Sequence, residues 1–127
     1  MTNVVDSSAW LEYFAGGPNA GAFAKAIEDS QRLVVPSITL LEVFKRFLQQ
    51  RSEADALKAV VFMELGTVVD LTSALALDAA HLSFTMGLSL ADSVILATAR
   101  AHDATLWTQD AHFKGLAGVE YREHQGP

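Results

Sequence analysis

The sequence predicts an α/β fold in which a parallel sheet is covered by helices on both faces. Three observations predict it. Short β-prone apolar runs are separated by stretches of helical periodicity. One of those stretches, Ser89–Asp103, is rich in Ala, Leu, Ile and Val and apolar on most sides, as a buried helix is. The chain has 127 residues and half of them are hydrophobic, enough for one domain over 1–127 with a real core.

Taken in order, Thr2–Val5 reads as the first strand, ending at Asp6. Ser7–Ala15 reads as a helix closed by Gly16-Gly17-Pro18-Asn19. Asn19 can cap a second helix over about 20–30, with Phe23, Ala26 and Ile27 on one face. Arg32–Val35 is a second strand, and Pro36-Ser37 opens a long helix to about Arg51. Glu53–Glu64 is amphipathic, Thr67–Leu71 is a third strand, and Ser73–Met86 is a helix that stops at Gly87. After the apolar helix come a fourth strand, Thr105–Thr108, and a weak fifth, Val119–Arg122. In such sheets, sites form beyond the carboxyl ends of the strands.

Composition narrows the chemistry. The absence of cysteine removes disulfides, thiolate metal sites and cysteine nucleophiles, and it fits a reducing compartment. The N-terminus does not read as a secretory signal, and no apolar run reaches membrane-spanning length, so a cytoplasmic protein is expected. The net charge of -6 argues against non-specific nucleic-acid binding. That objection weakens if acids converge on divalent cations, which reverse the local charge.

Four acids stand out by position. Asp6 and Asp110 each follow a strand, where an Asp also suits a turn or a helix cap. Glu42 lies on the long third helix, opposite an apolar arc of Leu40, Leu41, Val43, Phe44, Phe47 and Leu48. Thr39, Arg46 and Gln49 share its stripe, and an exposed pair with Arg46 would explain it without function. Asp92 completes a capping box, Ser89-Leu90-Ala91-Asp92, yet enters an otherwise apolar helix where a lone charge is costly. Parallel strands bring Asp6 and Asp110 together, and neighbouring carboxylates that repel favour a hard cation such as Mg²⁺.

VVDSS at 4–8, Glu42 in SITLLEVFKRF, LADSVILATARAHDA at 90–104 and LWTQDAHF at 106–113 together resemble the four acidic blocks of PIN-domain nucleases. The match runs in order over nearly the whole chain, and the short length and ADSVILATA resemble the VapC toxins. The resemblance implies a three-layer α/β/α sandwich with a five-stranded, mainly parallel sheet. It implies Mg²⁺- or Mn²⁺-dependent cleavage of RNA, with Asp6, Glu42, Asp92 and Asp110 as catalytic metal ligands and Thr108 and Ser7 as hydroxyl supports. It also implies a homodimer and a VapB-like antitoxin partner.

In such a site a divalent ion lowers the pKa of a water and orients it at phosphorus. Lys45 and Arg46, beside Glu42, can hold RNA phosphate, although a solvated helix face is the readier account of both. Trp10, Leu11 and Phe14 with Phe44, Phe47 and Leu48 offer a groove for an amphipathic antitoxin segment, unless core packing uses them. The histidines show no paired metal spacing, and His112 reads as a surface residue. Three other readings compete: a PIN nuclease in RNA processing, a phosphatase with Asp6 as nucleophile, and a binding module without activity. The phosphatase reading lacks a second acid, since Ser8 stands two residues after Asp6. The module reading leaves the repulsion of four acids unexplained.

Overall fold

In the computed structural model, which describes residues 1–126, five strands form one sheet in the order β3-β2-β1-β4-β5. The elements run β1 (Asn3–Val5), α1 (Ser7–Ala15), α2 (Ala20–Glu28), β2 (Leu33–Pro36), α3 (Ser37–Gln50), α4 (Glu53–Met63), β3 (Thr67–Val69), α5 (Ser73–Met86), α6 (Leu90–Ala101), β4 (Thr105–Thr108) and β5 (Val119–Tyr121). All four pairings are parallel. Each expected element is present. The third strand ends at Val69, short of Leu71, because Val69 pairs with Pro36 and β2 then turns into α3.

Side chains alternate across the strands, and each sheet face builds its own core. Val5, Leu33 and Val35 meet Trp10, Phe23, Ile27, Val43 and Met63 under α1–α4. Val4, Val34 and Leu106 meet Leu88, Ile95, Leu96 and Phe113 on the α6 side. The result is the three-layer sandwich. The expected burial of α6 holds: Ile95, Leu96, Ala97 and Ala99 are each 3% exposed or less. No single helix among the described residues is long and apolar enough to cross a membrane.

Three expectations need correction. Leu41 and Leu48 are exposed on α3, while Thr39, expected on the polar stripe, is buried. Thr39 can be buried because its hydroxyl donates to the Pro36 carbonyl at 2.7 Å. Trp10 is core, fully buried and stacked on Phe14 with ring centroids 5.6 Å apart. Asn19 precedes α2 but gives it no side-chain cap. Its amide donates instead to Gln109 Oε1 and to the Glu123 carbonyl, and its main-chain N–H is taken by the buried Glu12.

Candidate metal centre

β1 and β4 lie side by side, and the chain leaves the first of them through Asp6. Val5 pairs with Trp107, and the Asp6 N–H extends the ladder to the Trp107 carbonyl at 3.0 Å. Asp6 thereby comes to rest beside Thr108, and it is 2% exposed. Its Oδ1 accepts the Ala9 N–H at 3.0 Å and the Ser8 hydroxyl at 2.8 Å. Its Oδ2 accepts the Thr108 hydroxyl at 2.7 Å. The Ala9 bond caps α1, so the capping role of this Asp is present together with its burial. Burial pushes the Asp6 carboxyl up from 3.8 to about 7; bonds from Thr108, Ala9 and Ser8 oppose the shift and the Asp110 charge adds to it.

Asp110 is set by the same threonine. Its N–H donates to Thr108 Oγ1 at 2.9 Å. Its Oδ1 accepts the His112 N–H, capping the short 3₁₀ turn Ala111–Phe113, and lies 2.9 Å from His112 Nδ1. Asp92 enters from the first turn of α6, half-buried. Ser89 Oγ accepts the Asp92 N–H at 3.3 Å, which supplies one arm of the expected capping box. Burial holds the Asp92 carboxyl above its usual range, and the charges of Asp110 and Glu42 push the same way. One ligand atom from each of Asp92, Asp110 and His112 lies within 4.8 Å of the others.

Glu42 arrives from α3. Its Oε1 accepts the Ser7 hydroxyl at 2.7 Å across 35 residues of sequence. The alternative pair with Arg46 is not formed among the described residues. All four acids line a single cleft of about 510 Å³, together with Ser7, Ser8, Lys45 and Arg46. The four sequence-selected acids and the support Ser7 therefore share one wall system, and the other support, Thr108, sits beneath it.

Sequence reasoning missed two residues here. Ser8 binds the Asp6 carboxylate and accepts the Gln109 N–H at 3.3 Å, so it ties α1 to the exit of β4. Its place two residues after an acid, in the first turn of a helix, was the available signal. His112 is exposed, as expected of it, but it joins the acids through Asp110. Its position two residues past an acid looked ordinary because 3₁₀ turns carry no metal-ligand spacing of their own.

The donor set is oxygen-rich and crowded with like charge. That chemistry suits a hard divalent ion such as Mg²⁺ or Mn²⁺. The raised carboxyls of Asp6 and Asp92 have the same meaning: without a cation, this cleft resists full ionisation.

The PIN domain family profile matches residues 4–119. No curated protein matches the sequence. Among solved structures, the chain is similar to a toxin-antitoxin complex from Klebsiella pneumoniae, at 24% identity and a TM-score of 0.77, over 94% of this chain and 96% of that one. It is similar to a Sarcin-Ricin loop cleaving VapC toxin from Mycobacterium tuberculosis, at 19% identity and a TM-score of 0.74, over 93% and 98% of the two chains. A DNA-bound VapBC from Salmonella typhimurium shares 15% identity with a TM-score of 0.73, over 97% and 98%. At these identities the structural likeness is one of fold.

Proposed function

The chain belongs to the PIN-domain family, and from that premise we propose that it is a metal-dependent endoribonuclease acting as the toxin of a toxin–antitoxin pair in the cytoplasm. The observation that carries this reading is the convergence of Asp6, Glu42, Asp92 and Asp110 on one cleft at the carboxyl ends of β1 and β4. A net charge of -6 would repel RNA; a cleft that concentrates acids around a divalent ion removes that repulsion where it matters.

Asp6, Asp92 and Asp110 would hold Mg²⁺ or Mn²⁺, with Glu42 as a further carboxylate in reach of the same cleft. Such an ion, when bound, lowers the pKa of water and offsets the charge that builds at phosphorus. The chain's own groups do the positioning. Thr108, Ser8 and the Ala9 N–H keep Asp6 in one orientation. The Thr108 oxygen also fixes the Asp110 main chain, so one threonine registers two acids. Ser7 keeps Glu42 turned into the cleft instead of out to solvent. Lys45 and Arg46 stand on the rim and attract the phosphate backbone.

The toxin part of the proposal draws on the structural neighbours, several of which are VapBC complexes. The surface supports it. Phe14, Phe47 and Phe62 line an open groove between α1, α3 and α4 that suits an amphipathic segment of a VapB-like antitoxin. A concavity lined by Phe14, Phe47, Arg46 and Ser8 joins that groove to the acidic cleft, which attracts a basic residue from the same segment. Leu77, Phe84 and Leu90 are exposed on α5 and at the start of α6 and offer an apolar face to a second copy.

The test is RNA cleavage by purified protein with Mg²⁺ or Mn²⁺, with excess chelator, and by Asp6→Asn. Cleavage that needs the cation and is lost in Asp6→Asn supports the mechanism. Cleavage in chelator, or full activity of Asp6→Asn, refutes it. Induction in cells should arrest growth, and co-expression of the neighbouring reading frame should relieve the arrest. If no neighbouring product binds, the toxin role fails while the nuclease role stands.

A further inference from the structure

A second concavity of about 410 Å³ opens beside the acidic cleft and shares Ser8, Leu11 and Arg46 with it. Its remaining walls include Arg51, Gln109 and the rings of Phe14 and Phe47. Among the described residues, neither Arg46 nor Arg51 makes an ion pair, in a chain that carries far more acid than base. Arg51 instead lies over the Phe47 ring, 6.0 Å from its centroid. Such an arrangement leaves guanidinium donors free for a ligand.

The orientation of Gln109 follows from its neighbours. Asn19 Nδ2 donates to the Glu123 main-chain carbonyl at 2.9 Å. A carbonyl can only accept, so Asn19 must turn its NH₂ that way. The same nitrogen lies 3.0 Å from Gln109 Oε1, which makes that oxygen the acceptor. Gln109 then has its amide NH₂ left over. Asn19 is itself 5% exposed and anchored by Glu12, so this orientation is built into the fold. It also accounts for an Asn at a helix start that does not cap the helix.

We propose that this concavity is a nucleotide subsite adjoining the cleavage cleft, and that it prefers guanine. The inference deepens the ribonuclease reading and rests on it. The wall presents donors from Arg46, Arg51 and Gln109. Guanine offers two adjacent acceptors, O6 and N7, which a guanidinium takes in a bidentate pair. The Phe14 and Phe47 rings supply apolar area for the base. The shared Arg46 and Ser8 make the path from subsite to acids continuous, so one bound base would fix the position of the neighbouring phosphate.

The experiment compares two hexauridylates, one carrying a single guanosine and one a single adenosine. Affinity is read by fluorescence anisotropy in Ca²⁺, which takes the same oxygen ligands, and cleavage by kcat/KM in Mg²⁺ or Mn²⁺. Wild type is expected to favour guanosine by about tenfold. Gln109→Glu keeps the acceptor for Asn19 but loses the free donors, and Arg51→Gln removes a guanidinium; each should bring the ratio towards one. A ratio within one protein is insensitive to a general loss of activity. Equal affinity of wild type for both oligonucleotides, or a preference that survives both variants, overturns the subsite. Guanosine-selective binding without cleavage in either cation leaves the subsite standing and removes the nuclease reading. Cleavage without base preference does the reverse. If Arg51→Gln leaves RNA binding alone and abolishes only the complex with the neighbouring gene product, the concavity is a protein-docking site and the proposal falls.

Discussion

Replacing Asp6 by Asn is expected to stabilise the metal-free protein above about pH 7, although Asp6 is buried and fully hydrogen-bonded. The unfolded chain releases the Asp6 proton near 3.8, whereas the folded protein keeps it up to about 7. The folded state therefore binds more protons over that range, and its stability falls as pH rises from about 4 to about 7, then levels. A shift from 3.8 to about 7 corresponds to about 4 kcal/mol. Asn keeps one oxygen for Ala9 and Ser8 but turns an NH₂ towards Thr108, where a carboxylate oxygen had accepted. That rearranged bond costs about 1 kcal/mol. The expected net gain is about 2–3 kcal/mol in the neutral range, vanishing or reversing near pH 4 where Asp6 is already protonated. Urea melts of both proteins in chelator across that pH range measure it. Asp92, also raised by burial, is present in both proteins, so its titration cancels and the difference curve reports Asp6 together with its charge coupling to Asp110. Added Mg²⁺ should then stabilise wild type more than Asp6→Asn. Parallel pH profiles, or an Asn variant that is the less stable one above neutrality, would refute the reasoning.

Other outcomes follow from the same geometry. Asp92→Asn should not weaken the metal-free protein, because the cap acceptor is Ser89 Oγ and the variant keeps the N–H it takes; Ser89→Ala should cost about 1 kcal/mol in thermal melts. Thr108→Val should lower both cleavage and the melting-temperature rise on adding Mg²⁺, since one hydroxyl orients Asp6 and Asp110; a normal Mg²⁺ response measured calorimetrically would count against it. Gly66→Ala should destabilise by about 1–3 kcal/mol with no effect on specificity, because a Cβ there would lie 2.9 Å from the Leu33 carbonyl of β2, which cannot move without disturbing the sheet. Phe14→Asp, which would break a groove for a partner, should also cost fold stability in a denaturant melt, since Phe14 packs on Trp10, Phe47 and Phe62.

Much of this site is legible in the amino-acid sequence. Asp6 and Asp110 sit just past apolar runs, and the period-2 and 3.6-residue patterns around them are enough to place both at strand ends. Asp92 announced itself as a charge in a helix that had to be buried, and it is half-buried. For Glu42 the sequence leaves an exposed pair with Arg46 as the alternative. Its helical stripe predicted only which way it faces, and the Ser7 hydroxyl 35 residues away settles what it faces.

The amino-acid sequence by itself determined the order of strands and helices, the parallel sheet, and the family to which the four acidic blocks point. Those are consequences of local periodicity and residue type, which act over a few residues. Only the tertiary structure decided that Asn19 serves Gln109 and the C-terminal segment instead of its own helix, and that Glu12 is buried to hold it. Only the tertiary structure moved Thr39 inside and left Leu41 and Leu48 outside. A helical wheel assigns faces to an isolated cylinder, but burial depends on which neighbour covers each face and whether a hydroxyl finds a carbonyl to bond. The same reason separates the two levels at the acids: hydrogen bonds and charge repulsion act over a few ångströms of space, between residues as far apart in sequence as Asp6 and Thr108, and no spacing along the chain records them.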